Sequence, residues 1–277
     1  METAKKISFW ISLGLGVPII LVSYRCIFIL LRREYKEHWF CKIFVASLIT
    51  NSLVFVGQML YLRIPGMGYF PSFFYSISDA SWLPVWSFLI RVFIVLSYML
   101  SFALSLNRFT ALYMNDKLND KIWRHFSFII FPLMVGFSCF LNFETAVNEA
   151  EYIAVTTIDG TLTFQFRNYN LTRNYDQYWL MVQLLLEVLS NVGVLLRFFR
   201  IRMNQVKRTA FENSLYFVSF SSFAFVVFYI AITMALRYNL IPPEHKALTY
   251  LINNAVMDCA VLLPTVFILT LSKEIRL

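Results

Sequence analysis

The stretch WLPVWSFLIRVFIVLSYMLSFALSL, residues Trp82–Leu106, decides the fold of this chain. Its 25 residues carry one charge, that of Arg91. A helix that crosses the hydrocarbon core of a bilayer needs ~20 mostly apolar residues, each adding a rise of ~1.5 Å. Because lipid offers the backbone no hydrogen bonds, such a segment must satisfy its own amide groups as a helix. The stretch therefore predicts a membrane-spanning helix.

The rest of the chain repeats this pattern. Apolar residues make up 59% of the 277 residues and charged residues 14%, against about 45–50% and about 25% in soluble domains. Neither a linker nor a low-complexity tract divides the chain, so we expect one domain over residues 1–277, an all-α membrane protein with a bundle of seven helices. The six further spanning segments are Ile7–Leu31, Trp39–Leu62, His125–Phe143, Tyr178–Arg200, Asn213–Leu236 and Ala247–Leu271.

Positive charge is unevenly divided between the two sides of this bundle. One side holds Arg32, Arg33, Lys36, Lys42, Arg108, Lys117, Lys121, Arg124, Arg197, Arg200, Arg202, Lys207, Arg208, Lys273 and Arg276. The other side holds only Lys5, Lys6, Arg63, Arg167, Arg173, Arg237 and Lys246. Cytoplasmic loops are enriched in Lys and Arg, so the amino terminus is predicted outside and the carboxyl terminus inside.

A glycosylation motif agrees with this orientation. Asn170-Leu171-Thr172 is the one N-glycosylation sequon of the chain, and it lies in the loop between the fourth and fifth segments. The charge distribution places that loop outside, where an acceptor asparagine can be modified. We therefore expect a multi-pass protein of the plasma membrane that is glycosylated at Asn170.

The same loop carries a strand pattern. Apolar residues at every second position flank Asp159-Gly160, a dipeptide that suits the positive φ angles of a two-residue type I′ turn. The pattern predicts a β-hairpin in the second extracellular loop. Two strands alone are marginal in water, so the hairpin either closes a cavity as a lid or packs on helix ends. A two-residue turn at Asp159-Gly160 sets the register of the strands. In this register Thr157 pairs with Leu162, Val155 with Phe164 and Ile153 with Phe166, with all six side chains on one face.

Three ionisable residues, Arg91, Glu187 and Asp258, lie deep in predicted helices. Counted from the outer ends of their segments, all three lie roughly 14–17 Å below the surface. Charges at such depth are costly and have a partner or a water-filled cavity. Their shared depth predicts mutual pairing. They form either the floor of a ligand pocket, in which Arg91 grips a carboxylate in bidentate fashion, or a structural ion pair beside a neutral acid.

Two further groups have competing interpretations. Arg25, near the inner end of the first segment, is expected to extend to the lipid headgroups. Aromatic residues at the outer ends of the second and third segments form either the rim of a pocket for a small amphiphilic ligand or an interfacial belt. These aromatic residues are Tyr69, Phe70, Phe73, Phe74, Tyr75, Trp82 and Trp86.

The inner end of the third segment resembles a known family. There Asn107-Arg108-Phe109 stands where rhodopsin-like G-protein-coupled receptors have Glu/Asp-Arg-Tyr. The run Leu106–Tyr113, followed by Lys121-Ile122-Trp123, resembles the nematode serpentine chemoreceptors, and most nearly their gamma (Srg) superfamily, which includes class V. The end of the seventh segment, Leu262–Arg276, is also similar to those receptors. The resemblance covers the whole chain in its rhodopsin-like topology but is specific only in these stretches.

The resemblance implies a chemosensory receptor that couples a small ligand outside to a heterotrimeric G protein inside. Asn107, Arg108 and Phe109 would form the activation switch, in which Arg108 holds the inactive state and meets the G protein when the bundle opens. Since Asn107 cannot pair with Arg108 as a charge, Glu212 at the start of the sixth segment is the predicted substitute. Without the resemblance, Arg108 would be interpreted as a cytoplasmic boundary arginine.

Several features depart from the rhodopsin pattern. Cys26, Cys41, Cys139 and Cys259 all lie in helices or at inner loop edges, so no disulfide to the second outer loop is expected. The seventh segment has no Asn-Pro-x-x-Tyr run. It also has no lysine that could form a retinal Schiff base, so we expect no opsin and no cofactor.

Other classes of protein fit the sequence less well. His38, His125 and His245 form no metal-spaced box, and no Ser-His-Asp or Cys-His set falls within one leaflet, so neither an enzyme nor a metal site is expected. The basic residues form no stripe with aromatic residues, which argues against nucleic acid. The alternative to a receptor is a small-solute transporter or channel, although half-repeats and broken helices are not evident. The expected partners are membrane lipid, a small-molecule ligand and a heterotrimeric G protein.

Overall fold

Long helices make up most of the computed structural model. It describes residues 2–31, 39–78, 80–114, 116–147, 150–156, 162–168, 181–182, 185–196, 210–238 and 240–271. Within these ranges the seven long helices are α1 (Glu2–Leu30), α2 (Trp39–Gln58), α3 (Leu83–Tyr113), α4 (Phe131–Val147), α5 (Leu185–Leu196), α6 (Ala210–Arg237) and α7 (Pro243–Leu271). Two strands, β1 (Ala150–Thr156) and β2 (Leu162–Asn168), lie between α4 and α5.

The apolar composition of these helices suits a membrane. Among the described residues, four helical stretches are long and apolar enough to cross a bilayer, namely Lys6–Leu30, Trp39–Gly66, Leu83–Tyr113 and Lys117–Val147. Shorter apolar helical stretches follow at Leu185–Leu196, Phe223–Leu236 and Leu251–Val266. Helix α3 continues past the predicted end of its segment to Tyr113. The Asn107-Arg108-Phe109 triplet therefore lies within a helix and not at its last turn.

Helix α3 is central in the bundle. It packs against α2, α4 and α6, and Asn191 of α5 donates a hydrogen bond to Ser105 of α3 at 2.9 Å. Helix α1 contacts α2 and α7, while α7 also contacts α2 and α6. We call the end at which α2 finishes and α3 begins the hairpin end, since β1 and β2 pack there. The opposite end carries the end of α3 and the short helix Asp116–Trp123.

Three clusters of buried side chains lie between the hairpin end and the opposite end of the bundle, and α3 contributes to each. The cluster at the opposite end includes Cys26, Phe44, Leu48, Leu100 and Trp123. The middle cluster includes Val54, Tyr98, Ile230, Met257 and Val261. The cluster at the hairpin end consists of Tyr61, Phe74, Leu83, Ile90, Tyr152 and Phe164. The hairpin thus shares a core with α3 and with the end of α2.

Helix α2 continues beyond its regular α-helical part. A π-helical turn, Met59–Arg63, and the short helix Ile64–Gly66 extend it. A π turn accommodates an extra residue and so changes the direction in which the following side chains point. Arg63, which the sequence placed among the loop charges of the outer side, is carried by this turn and contacts Asp258 of α7. The chain then enters the short helix Pro71–Ser76.

The predicted antiparallel hairpin is present, but its predicted register is wrong by one residue. The observed pairs are Tyr152 with Phe166, Ile153 with Gln165, Ala154 with Phe164, Val155 with Thr163 and Thr156 with Leu162. A shift of one residue turns a strand over, because side chains alternate between the two faces. Tyr152 and Ala154, in place of Ile153 and Val155, therefore share a face with Phe164. The Asp159-Gly160 turn lies outside the described residues.

Tertiary contacts of Tyr152 account for this register. Its side chain is 5% exposed, and its ring meets those of Phe74 and Tyr61 with centroids 5.3 and 6.3 Å away. The Tyr152 hydroxyl donates to the Tyr61 carbonyl at 3.0 Å, and burial raises the pKa of this phenol. Phe164, 1% exposed, lies against the same Phe74 ring. The described contacts place the hairpin on the ends of α2 and α3; a role as a lid stays a prediction.

Candidate functional site

Asp258 and Arg63 form an ion pair near the hairpin end. Arg63 Nη2 lies 2.6 Å from Asp258 Oδ1, and Arg63 Nη1 lies 2.8 Å from Oδ2, so the guanidinium binds both carboxylate oxygens. Ser12 of α1 donates a further hydrogen bond to Oδ2 at 2.6 Å. Both charged side chains are 12% exposed. The group joins α1, the extension of α2 and α7.

Arg91 lies on the part of α3 that is near the hairpin end. Its side chain is half-buried, and its charge lies within electrostatic range of the buried Tyr61 hydroxyl. Ile90, the residue before Arg91, belongs to the cluster at the hairpin end, and Trp86, one turn earlier, packs against that cluster. Within the described ranges, no carboxylate forms a salt bridge with Arg91. Arg91 therefore presents a positive charge close to an aromatic and apolar surface.

Glu187 lies on α5, apart from both Asp258 and Arg91. Its side chain is fully buried, at 0% exposure, and lies within electrostatic range of Tyr98 of α3. Asn191, one turn later, donates to the Glu187 carbonyl and to Ser105 Oγ, both at 2.9 Å. The Tyr98 ring approaches Tyr229 of α6 with centroids 5.8 Å apart. Polar side chains thus connect α3, α5 and α6 in the interior.

The three predicted ligand residues therefore have different surroundings. Mutual pairing was expected from their common depth, but the carboxylate of Asp258 binds Arg63 and Ser12. This part of the expectation is wrong, because Arg63 reaches inward from the π turn and was counted as a loop charge. Arg91 lies within electrostatic range of Tyr61, and Glu187 within electrostatic range of Tyr98. A binding role for any of the three stays a prediction.

The seven aromatic residues of the predicted rim have three kinds of surroundings. Tyr69 is half-buried, and its ring contacts those of Phe9 and Trp10 of α1 with centroids 5.5 and 6.1 Å away. Phe70, Phe73, Tyr75 and Trp82 are 69%, 57%, 71% and 47% exposed. Phe74 is 5% exposed and belongs to the cluster under the hairpin, against which Trp86 also packs. The four exposed residues suit an interfacial belt, whereas Phe74 and Trp86 belong to the packing under the hairpin. Arg25, at the other end of α1, is exposed.

At the opposite end, Arg108 of α3 is buried against α2. The side chain is 8% exposed, and its guanidinium carbon lies 3.7 Å from the centroid of the Phe40 ring. A desolvated cation over an aromatic face contributes about 2 kcal/mol. Asn107 is 4% exposed, and its carbonyl accepts a hydrogen bond from Thr110 at 3.0 Å. The sequence did not predict this contact between Arg108 and α2.

Phe109, the third residue of the triplet, packs on α5. A Cβ atom added at Gly193 would lie 2.7 Å from Phe109 Cε2, closer than two carbon atoms pack. Tyr113 stacks on Phe109 with ring centroids 4.6 Å apart, and its hydroxyl donates to the Gly193 carbonyl at 3.1 Å. The absence of a side chain at Gly193 therefore permits the close approach of α3 and α5.

Two tryptophan residues hold the short helix Asp116–Trp123 on the bundle. Trp39 Nε1, at the start of α2, donates to Asp120 Oδ1 at 2.7 Å. Trp123 is 2% exposed, and its Nε1 donates to Thr110 Oγ1 at 2.8 Å. The sequence indicated Trp123 only through the resemblance. The residues Trp39 and Asp120 are 81 positions apart in the sequence, and no local sequence pattern predicts a hydrogen bond between them.

Two of the remaining predicted residues, Asn170 and Glu212, lie wholly or partly outside the described residues. The Asn170 sequon is outside the described residues, and Glu212 lies on α6 with its side chain outside them. Cys26 and Cys41 are buried, and Cys139 and Cys259 are half-buried. Within the described part of the chain, no group of three or more His, Cys, Asp or Glu residues could hold a metal ion.

The chain was compared with known protein families. The model of a family described as serpentine type 7TM GPCR chemoreceptor Sru matches residues 7–271, nearly the whole chain. The chain belongs to this Sru family. No curated protein matches the chain significantly. The resemblance to serpentine chemoreceptors is confirmed, while the narrower placement in the gamma superfamily or class V stays a prediction.

Membership in the Sru family establishes the chain as a seven-helix membrane receptor. The family is one of multi-pass membrane receptors, so the predicted bundle of seven transmembrane helices with a hairpin between the fourth and fifth is confirmed. A chemosensory receptor role follows from the family, which is a receptor family and not a family of enzymes. As an Sru receptor, the chain has Arg91 and Asp258 toward one end of its bundle and Arg108 toward the other.

Proposed function

We propose that this Sru-family receptor binds a small acidic or amphiphilic molecule at the hairpin end and signals to a heterotrimeric G protein at the opposite end. The observation that carries the ligand half is the position of Arg91. A half-buried guanidinium within a membrane helix requires an anion or water nearby. Asp258 is engaged by Arg63 and Ser12, so a ligand carboxylate is the proposed partner of Arg91.

The surroundings of Arg91 favour an amphiphilic ligand. The buried Tyr61 side chain lies within electrostatic range of Arg91. Trp86 and Ile94 of α3 pack against the apolar cluster at the hairpin end. Ligand pockets commonly combine apolar lining with a few polar groups that set orientation. Asp258, in contrast, is proposed to stabilise the bundle through its ion pair, and Glu187 to order α5 against α3.

The signalling half of the proposal rests on the opposite end. Arg108 is stacked on Phe40 of α2 and Phe109 is packed on Gly193 of α5, so a displacement of α3 relative to either helix would disturb the triplet. We propose that this packed arrangement is the inactive state, with Glu212 as a further partner of Arg108. Lys117, Lys121 and Arg124 are exposed at the same end, which supports placing this end in the cytoplasm and the amino terminus outside. The proposed location is the plasma membrane.

A functional screen tests the ligand class. Cells that display the receptor would be exposed to pairs of compounds, each a carboxylic acid and its methyl ester, with a G-protein readout. An acid that activates while its ester does not would support the proposal, and Arg91→Ala should abolish that response at unchanged surface expression. Arg91→Lys should retain part of it, since the charge remains but the bidentate geometry is lost. Arg25→Ala, a change at an exposed arginine, is the matched control.

Three results would count against this function. Loss of surface expression in Arg91→Ala would indicate a structural role for the residue. Equal responses to acids and esters would exclude charge recognition by Arg91. Ligand-independent solute flux in liposomes that contain the purified chain would favour the alternative of a transporter or channel.

A further inference from the structure

The π turn after α2, Met59–Arg63, carries two contacts that run in different directions. Tyr61 is 6% exposed and belongs to the cluster at the hairpin end. Arg63, two residues later, binds both carboxylate oxygens of Asp258 in α7. Residues two positions apart in a helix point to nearly opposite sides. This single turn therefore connects the cluster under the hairpin with α7.

The carbonyl of Tyr61 cannot take its usual helical hydrogen bond. In an α-helix its donor is the N–H of the residue four positions later, and that residue is Pro65, which has no N–H. Pro65 is buried, and buried backbone carbonyls need a hydrogen-bond partner. The hydroxyl of Tyr152, on β1 of the hairpin, donates to the Tyr61 carbonyl at 3.0 Å. A hairpin side chain thus takes the place of the missing backbone donor.

The geometry of the π turn determines the direction in which Arg63 points. The N–H of Ile64 bonds to the carbonyl of Met59, five residues earlier, as a π turn requires. A change of one residue in this register would rotate the Arg63 side chain by about 100°. The bidentate contact with Asp258 has distances of 2.6 and 2.8 Å, and such a contact depends strongly on orientation. The ion pair therefore depends on the π turn.

We propose that Tyr152 is a positioning residue for the Arg63–Asp258 ion pair. Its hydrogen bond to the Tyr61 carbonyl holds the π turn, and the π turn directs Arg63 toward α7. The hairpin thereby sets the strength of a contact that joins α1, α2 and α7. The consequence for signalling rests on the proposed function: a ligand that displaces the hairpin as it reaches Arg91 would weaken the ion pair and release α7.

Double-mutant cycles on the purified receptor test this coupling without a ligand, so the result is independent of the proposed function. Arg63→Met, Asp258→Leu and their combination are made in the wild-type protein and in Tyr152→Phe, and SDS unfolding titrations give the interaction energy between residues 63 and 258. Tyr152→Phe removes the hydroxyl but keeps the ring that contacts Phe74. We expect the interaction energy to fall at least twofold in the Tyr152→Phe background. Equal interaction energies in the two backgrounds would overturn the proposal.

Two further backgrounds separate this hydrogen bond from a general loosening of the hairpin. Leu162→Ala changes a residue of β2 that is 40% exposed and should leave the interaction energy at its wild-type value. Pro65→Ala supplies the N–H that the Tyr61 carbonyl lacks, so its addition to Tyr152→Phe should restore the interaction energy. Pro65→Ala alone should keep the wild-type value, which reports an intact fold. An equal loss in Leu162→Ala, or no recovery on addition of Pro65→Ala, would overturn the role of Tyr152.

Discussion

Asp258 accepts two hydrogen bonds from Arg63, at 2.6 and 2.8 Å, in a bidentate ion pair between α7 and the π turn after α2. Ser12 adds α1 to the same carboxylate. Bidentate pairs between arginine and a carboxylate are stronger and more directional than single contacts. Since both side chains are 12% exposed, the pair is shielded from most of the screening that weakens surface salt bridges. The first, second and seventh helices are thereby joined at one point.

Removal of one partner of this pair should destabilise the receptor. Asp258→Asn leaves the Arg63 charge buried without its counter-charge, which costs about 3 kcal/mol in comparable buried pairs. Thermal unfolding of the purified protein in detergent, followed by tryptophan fluorescence, measures the change. Arg63→Met should lower the unfolding temperature similarly. The double variant Arg63→Met/Asp258→Leu should be more stable than either single variant, and additive losses would contradict a direct pair.

Gly193 should tolerate no larger residue. Gly193→Ala would place Cβ 2.7 Å from the Phe109 ring, and overpacking of this kind costs about 1–3 kcal/mol. The same thermal assay checks the loss, and Phe109→Leu in the Gly193→Ala background should recover part of it. Gly136→Ala in α4 is the matched control, because nothing lies within 4 Å of its added Cβ. An unaffected Gly193→Ala would mean that α3 and α5 do not approach closely at this residue.

The difference between what could and could not be predicted follows the range of the interactions. The spanning helices follow from apolar runs that local counting detects, as in Trp82–Leu106. Arg63 was assigned to a loop because the apolar run ends at Leu62, and the π turn that redirects Arg63 has no reliable sequence pattern. Its partner Asp258 lies 195 positions away, so only the folded bundle reveals the pair.

The hairpin gives a second example of this limit. Alternation around Asp159-Gly160 correctly predicted two antiparallel strands, since that pattern is local. The register depended on Tyr152, whose ring and hydroxyl contact Tyr61 and Phe74 from other parts of the chain. A turn preference was therefore overridden by burial of an aromatic side chain. The candidate site shares this property, because the surroundings of Arg91 come from the same non-local contacts.

Removal of Phe164 should detach the hairpin. Its side chain is 1% exposed, and truncation of a buried phenylalanine to alanine costs about 3 kcal/mol or more. We expect Phe164→Ala to speed amide hydrogen exchange over residues 150–156 and 162–168, measured by mass spectrometry. Tyr152→Phe, which loses only the hydrogen bond to the Tyr61 carbonyl, should have a smaller effect of about 1 kcal/mol.

The control for this experiment lies on the same strand. Leu162 is 40% exposed, so Leu162→Ala should change hydrogen exchange little. Equal acceleration by Leu162→Ala and Phe164→Ala would contradict the packing of the hairpin on the Phe74 ring.

The orientation can be checked at Asn170. If the loop between α4 and α5 faces the lumen during synthesis, the receptor expressed in animal cells should carry an N-glycan there. Asn170→Gln should then raise its mobility in gel electrophoresis by the amount that peptide N-glycosidase treatment produces. Thr172→Ser, which keeps the sequon, should leave the mobility unchanged. A wild-type protein that is insensitive to the glycosidase would argue against this orientation.

The Arg108 contacts predict the behaviour of the signalling end. Glu212→Ala should raise basal G-protein signalling if Glu212 holds Arg108 in the inactive state. Phe40→Leu removes the ring beneath the guanidinium, an interaction worth about 2 kcal/mol when desolvated, and should also raise basal activity. Phe28→Leu, a change at an 80% exposed ring of α1, is the control. If basal activity stays unchanged in both Glu212→Ala and Phe40→Leu at equal surface expression, Arg108 does not restrain the receptor, and its burial would serve only to pack α3 against α2.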